Sequence, residues 1–408
     1  MTLHKRAYGR PLCFLLIAMA VGYLLYHSLA GGTLLANSPY DSYALMAENW
    51  LQGNLHLPDG ASRPWLELAI FEGKYYVSFP PVPAVFALPW VLVCGSAAAV
   101  PSHLVAALYG LLGAAGVYCL FARRGFAPAA CVWWALVCTV GSNFYWMSTN
   151  GGVWFAAQTL NFALLAWGLC FAAAQTTAQN TLAALCMALA VGCRPFSILL
   201  LAVYMLQLLV RHGFAGGRVR LPGRAFWLPF AAAAAVGAAL ALHNYVRFGS
   251  LLEFGHTYLP EFMREAEGQF HLSYFWGNLK NLLRPVTLTE TLDLKFELFN
   301  GFLLFAANPV FLWWGVRLVR CAYKKQISAA RAAAVVYFVL GLAALCLHRT
   351  LGGWQFGARY TVDLIPCVLL AEAFAPDGQK NAPADWEWLL CALACAFNIY
   401  GAVYMLSH

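Results

Sequence analysis

Apolar residues run along this chain in blocks too long for a soluble core, at residues 12–30, 79–95, 101–121, 128–147, 151–174, 180–193, 197–211, 225–246, 299–319, 328–347, 358–374 and 386–405. A bilayer core takes roughly 20 residues of helix to cross, and a helix satisfies its own backbone hydrogen bonds in lipid. The pattern therefore predicts a polytopic, all-α membrane protein. Carboxylates are distributed accordingly: between Glu72 and Glu253 there is no Asp or Glu at all.

The second run, Phe79 to Gly95, carries Pro80, Pro81, Pro83 and Pro89 and is short for a span. If it crosses, Arg123, Arg124, the arginines of 211–224 and the basic stretch 317–331 fall outside. If it lies at the outer interface, all of them become cytoplasmic, as does the N-terminus behind Lys5, Arg6 and Arg10. Eleven crossings thus satisfy the positive-inside rule, with 15 of the 25 Lys and Arg inside and 9 outside. A cleaved signal peptide is the other reading of the first run, which exceeds the usual apolar region of about 7–15 residues. The expected architecture is a single membrane domain over 1–408 with about 11 transmembrane helices. Interfacial helices fill a first outer loop at 31–98, a second outer loop spans 247–298, a short third spans 348–357, and the C-terminus lies outside.

Composition agrees, at 62% hydrophobic and 10% charged residues. The formal charge of +8 is accounted for by the cytoplasmic loops, so nucleic-acid binding is not implied. Nearly all of the 13 cysteines sit in apolar runs and behave as small hydrophobes, while 31–78 and 247–298 contain none, so no outer disulfide is expected.

Candidate chemistry sits in the outer loops. Ser38 or Asp41 reads as the cap of a short helix running to Gly53; Asp41 is equally a carboxylate placed just above the bilayer, able to accept a hydroxyl proton. Glu72-Gly73 reads as a tight turn returning the chain to the membrane, followed by Lys74, Tyr75 and Tyr76, which form either an interfacial belt or a contact to a lipid phosphate. Arg194 interrupts the stretch 180–211 and is followed by Pro195, which breaks it into two short spans meeting near the outer surface. Its guanidinium either reaches the outer headgroups or serves a ligand. Glu253 and His256 have a Glu-x-x-His spacing, but a metal site of that type needs a helix and a second copy, and Gly255 lies within the motif. Arg359 and Asp363, four apart, form either a mutual ion pair or a grip on a ligand, and a planar guanidinium at a membrane boundary suits bidentate phosphate recognition.

Taken together, these elements resemble the GT-C superfamily of membrane glycosyltransferases, particularly the branch similar to protein O-mannosyltransferases and aminoarabinose transferases. The likeness rests on Asp41 shortly after the first span, the helix it heads, the turn Gly73-Lys74-Tyr75-Tyr76 and the segment Pro80-Pro81-Val82-Pro83. It is a likeness of arrangement more than of letters. Related enzymes often carry a second acidic residue after the third span, where this chain has Ser148-Thr149-Asn150-Gly151-Gly152; the neutral Asn150 favours a metal-independent mechanism, a divalent cation being possible but not favoured.

The resemblance implies a plasma (inner) membrane enzyme that moves a hexosyl or pentosyl group from a polyprenyl-phosphate donor to a glycan, lipid or protein acceptor on the extracytoplasmic face, with inversion. Asp41 would be the general base. Arg359, with Lys74 or Arg194, would stabilise the departing lipid phosphate, and Tyr75, Tyr76, Trp354 and Tyr360 would line the sugar or headgroup region, with Glu253 and His256 as further substrate-binding candidates. A multi-span transporter or flippase is the alternative, since a helix broken at Pro195 is also a transporter feature.

Overall fold

The computed structural model describes residues 2–215, 218–291, 293–376 and 381–408, with side chains described from Ala7 onward apart from those of 215–219. Lys5, Arg6, Arg218 and Lys380, all counted in the positive-inside argument, lie outside the described side chains.

The apolar runs are predominantly helical. Helix α1 (Thr2–Leu29) leads to an outer segment holding α2 (Ser42–Leu51), a hairpin of β1 (Leu68–Phe71) and β2 (Lys74–Val77), and α3 (Val82–Cys94). Helices α4 (Ser102–Arg123), α5 (Pro128–Cys138), α6 (Phe144–Met147), α7 (Val153–Ala172), α8 (Thr177–Val191), α9 (Ile198–Gly213) and α10 (Arg224–Phe248) follow. The second outer loop holds only short elements, among them α11 (Pro260–Met263) and α12 (Phe275–Leu282). After it come α13 (Leu304–Ala307), α14 (Val310–Tyr323), α15 (Ala329–Leu347), α16 (Ile365–Phe374) and α17 (Asp385–Tyr404).

Seven helical segments among the described residues are long and apolar enough to cross a membrane: Ala7–Leu29, Ser102–Arg123, Val153–Ala172, Pro195–Gly213, Arg224–Phe248, Ala329–Leu347 and Asp385–Tyr404. The other four runs counted as crossings fold as shorter or broken pieces, so the count of eleven stays a proposal. Run 128–147 breaks between α5 and α6, where the Thr139 and Ser142 hydroxyls donate back to Ala135 O (2.5 Å) and Cys138 O (2.9 Å). Run 180–193 becomes the 15-residue α8, run 299–319 splits into α13 and α14 at Pro309, and run 358–374 opens as a 3-10 turn, Arg359–Leu364, before α16. Helix α3 has 13 residues, about 20 Å at 1.5 Å per residue, too short for a span and suited to the interface.

Helix α7 is the hub and the most buried of the seven segments. It lies against α4 through small residues that let the backbones approach. A Cβ at Gly113 would sit 2.9 Å from the Phe162 ring, and one at Gly116 3.0 Å from Ala166 and from Trp167. Such contacts hold helices together in lipid, where apolar burial gives no drive to associate.

Polar contacts sort the bundle into two ends. Arg123 donates to Gln179 (2.8 Å) and Cys170 O, Arg211 to Gln175 (2.8 Å), and Arg124 to Ala373 O (2.7 Å). Beside Ala373, Glu372 pairs with Arg317 at 2.9 Å and with Arg331 at 3.5 Å. All three basic clusters therefore share one end. The starts of α4 and α7, the end of α8 and the three outer loops meet at the other.

Candidate functional site

The outer end is organised by the first turns of α7. The backbone N–H of Val153 donates to Tyr40 O at 2.9 Å, which clamps the start of α7 to the start of the α2 segment. Below it, Phe155, Gln158 and Asn161 follow at intervals of three along the helix side that meets the 3-10 turn Arg359–Leu364. Gln158 donates to Arg359 O (3.2 Å) and Asp363 Oδ2 (3.4 Å); Asn161 donates to Asp363 Oδ1 (3.3 Å) and its own oxygen accepts from Ser197 (2.6 Å).

Asp363 pairs with Arg194, not with Arg359. The Arg194 Nε–Asp363 Oδ2 distance is 2.9 Å, and 169 residues separate the two. Arg194 sits where Pro195 stops α8 from continuing into α9, as the sequence anticipates. This leaves Arg359, 4% exposed, with no carboxylate in ion-pair contact among the described residues; Glu67 and Asp363 act on it only from farther off. Its guanidinium reaches Gln158 Oε1 and the Tyr360 hydroxyl only at 3.5 Å, and its Nε has no partner among the described residues. It stacks on Phe155 (5.3 Å) and Tyr360 (4.7 Å), while Arg194 stacks on the same Tyr360 ring at 5.0 Å. One phenol thus separates two cations.

A cavity of about 420 Å³ opens beside this group. Arg194, Tyr360, Glu253, His256 and His348 give it polar lining, and Phe79, Pro80, Phe196, Phe254, Phe270 and Leu345 an apolar wall. His256 sits opposite Ser78 O at 2.9 Å and His348 opposite Thr350 O at 2.7 Å, with the Phe262 ring near both imidazoles. Burial pushes both imidazoles down, His348 to about 4, with neighbouring cations adding to the effect. Glu253 accepts from Gly255 N and Thr257 Oγ1, so it shapes the loop that carries His256. No helix forms over 253–256, and no three His, Cys, Asp or Glu converge on a metal position among the described residues.

Asp41 caps α2, accepting from Ala44 N at 3.0 Å, as its position before the apolar face predicts. Its other oxygen accepts from Asn37 Nδ2 at 3.4 Å. It lines a separate cleft of about 20 Å³ with Tyr43, Ser102, Tyr109 and Gly151, room for a single water. Burial pushes the carboxyl up to about 6, against the opposing pull of the Ala44 N–H. Tyr43 lines the same cleft as Asp41, and its hydroxyl is buried without a partner among the described residues. Asn150 lies in the loop that abuts Tyr40 and Asp41, but its oxygen accepts from Gly152 N (2.8 Å). Asp41 is therefore the one carboxylate lining this cleft, which offers a divalent ion a single anionic ligand.

The structure does not gather every residue singled out from the sequence. Lys74 is exposed beside the hairpin turn opposite Phe71. Tyr75 covers Gly60 and pairs with Leu57, and Tyr76 packs on Phe248 at 5.1 Å. None of the three lines the cavity. Trp354 packs at 5.4 Å on Trp146, which in turn meets Phe155. Sequence reasoning missed Gln158, Asn161, His348 and Glu67. The first two had a signal, amides three apart in an otherwise apolar run; His348 and Glu67 had none, since only tertiary contacts bring them here.

The fold and this outer-end site define a class: a multi-pass membrane protein with the GT-C fold. No protein-family model matches the sequence, and no curated protein matches it. Among solved structures, the chain is similar to ArnT from Cupriavidus metallidurans bound to undecaprenyl phosphate, with a TM-score of 0.51 and 14% identity over 92% of this chain and 61% of that one. It is also similar to the archaeal oligosaccharyltransferase AglB from Archaeoglobus fulgidus in complex with an inhibitory peptide and a dolichol-phosphate, with a TM-score of 0.53 and 15% identity over 97% of this chain and 56% of that one. The chain thus spans about three fifths of the length of these two proteins.

Proposed function

We propose that the protein is a glycosyltransferase that takes a sugar from a polyprenyl-phosphate donor and passes it to an acceptor on the outer face of the membrane. The observation that carries this reading is Arg359, a guanidinium buried next to a second one, with no carboxylate in ion-pair contact among the described residues and Asp363 committed to Arg194. A buried charge left without a partner is costly, and a planar guanidinium is best matched by a phosphate or carboxylate. The cavity lined by Arg194 and Tyr360, behind which Arg359 stacks, supplies the rest of a lipid-phosphate site. Its apolar wall suits an isoprenoid tail, and the Arg194 Nη groups, which have no protein partner among the described residues, lie where a phosphate would sit. The two solved structures that share the fold hold undecaprenyl phosphate and a dolichol-phosphate, which supports the same ligand class.

In this reading the acceptor hydroxyl attacks the anomeric carbon from the Asp41 side while the bond to the phosphate oxygen breaks. Asp41 takes the hydroxyl proton, the electron pair leaves with the lipid phosphate, and the configuration inverts. Arg194 and Arg359 stabilise the negative charge that gathers on the departing phosphate.

The test uses membranes carrying the full chain or Asp41→Asn, supplied with a panel of undecaprenyl-phosphate donors bearing labelled hexoses or pentoses. The amide keeps the cap and removes the base, so the expected loss of transfer is about 10²–10⁴-fold. Undiminished turnover by the variant removes Asp41 from the mechanism; absence of transfer from every donor by the unmodified chain overturns the transferase reading.

A further inference from the structure

A second group of side chains, none of which lines the cavity, gathers around Tyr40, the residue before Asp41; its carboxylate, Glu67, also feels the Arg359 cation. Along residues 65–68, alternate positions point opposite ways: Leu66 and Leu68 are buried against Val153 and Ala157, while Trp65 and Glu67 face out. Trp65 is 49% exposed and its indole N–H donates to Pro39 O at 3.2 Å. One residue on, Tyr40 is 39% exposed, with its own carbonyl held by Val153. Its ring meets Trp154 at 5.3 Å, and the Trp154 indole N–H donates to Glu67 Oε2 at 2.8 Å. Three aromatic rings are therefore fixed by hydrogen bonds of their own backbone or indole groups, beside a carboxylate whose Oε1 has no partner among the described residues.

We propose that Tyr40, Trp65 and Trp154, with Glu67, form the acceptor subsite and that the acceptor presented there is a carbohydrate. Flat rings held in place take the apolar C–H face of a pyranose, and a carboxylate oxygen beside them accepts from the sugar's hydroxyls. Neither arrangement costs much ordering, because the rings are tethered before the ligand arrives. An interfacial belt is the ordinary role of Trp and Tyr at this height. Glu67 argues against it, since a carboxyl held by the Trp154 indole disfavours anionic headgroups; burial pushes that carboxyl up, and the Trp154 N–H and the Arg359 cation pull against that rise. Tyr40 immediately precedes Asp41, so a sugar stacked on this surface presents a hydroxyl to the proposed base.

This subsite rests on the transferase reading, and the experiment separates the two. The full chain in lipid nanodiscs is measured for binding to an array of neutral, amino and acidic oligosaccharides and, independently, to labelled undecaprenyl phosphate. The unmodified chain should bind at least one oligosaccharide class. Glu67→Gln and Trp65→Ala should each weaken that binding tenfold or more, and Trp65→Ala, at an exposed ring away from both cations, should leave undecaprenyl-phosphate binding within twofold. Trp65 is exposed, so its removal spares the fold. Absence of oligosaccharide binding by the unmodified chain overturns the subsite, as does binding that both variants retain, or a loss confined to undecaprenyl phosphate, which would assign the rings to the membrane interface. Failure of the transferase reading shows separately, as absence of undecaprenyl-phosphate binding in the unmodified chain.

Discussion

At the scale of single residues, the site depends on which charge takes which partner. Arg359 and Asp363 are four apart, and that spacing on a regular helix would let them pair. The segment instead folds as a 3-10 turn, where i and i+3 eclipse and i+4 does not, and Asp363 turns to Arg194. The sequence shows the three charges but not this exchange, because the choice is made by a residue far away in the chain. The cap at Asp41 is the opposite case, a local contact that its position before Ala44 foretells. What the sequence does not foretell is its burial, which brings the carboxyl to about 6. A base must be ionised to act, so a raised value means activity is present above about pH 6 and is lost as the pH falls through it. The expected profile of kcat/KM for sugar transfer has an acid limb of slope one bending near pH 6 and a plateau at neutral pH. An acid limb centred at pH 4 or below would show that the ionising group is an ordinary exposed carboxylate.

At the scale of elements, the turn and break signals are legible and the helix boundaries within apolar runs are not. Glu72 and Gly73 have positive φ, 48° and 74°, and close the two-residue hairpin between β1 and β2 that the sequence marks as a turn. The break at Pro195 is equally plain. Runs 128–147, 299–319 and 358–374 each read as one helix because composition is blind to where hydroxyls and prolines redirect the backbone. The third outer loop shows how closely such a redirected segment is fitted. Gly352 has φ 101°, and a Cβ there would come within 2.9 Å of Arg359 Nε and 3.0 Å of its Nη2. Gly352→Ala therefore acts on the guanidinium as well as the backbone. The strained φ costs about 1–3 kcal/mol of stability. A displaced Arg359 should also weaken undecaprenyl-phosphate binding tenfold or more, measured in nanodiscs at a temperature where the variant remains folded. Unchanged binding in the folded variant would show that the lipid phosphate does not use Arg359.

For the whole molecule, the two ends of the bundle differ in charge, and the proposed orientation rests on that difference. One end joins Arg123, Arg124, Arg211, Arg317 and Arg331 through Gln179, Gln175, Ala373 and Glu372. All but Arg317, which lies mid-way along α14, sit in the first or last turn of a helix or just past its end, where the positive-inside rule is strongest, and the proposed orientation puts this end in the cytoplasm. The opposite end carries the hairpin, the cavity and Asp41, and a lipid-linked donor would present its sugar there. With α3 at the interface, eleven crossings bring the basic clusters to one side, while a twelfth would split them. The orientation is open to cysteine labelling. Lys74→Cys places a thiol at an exposed site beside the hairpin turn, and Lys324→Cys places one just past the C-terminus of α14. In intact cells a membrane-impermeant maleimide should label position 74 well above the background of the native cysteines, which lie largely within the apolar runs, and should reach position 324 only after permeabilisation. The reverse pattern would put the cavity in the cytoplasm and remove the basis for transfer on the outer face; labelling of both positions in intact cells would mean that an even number of crossings separates α14 from the hairpin and that one broken run does not span.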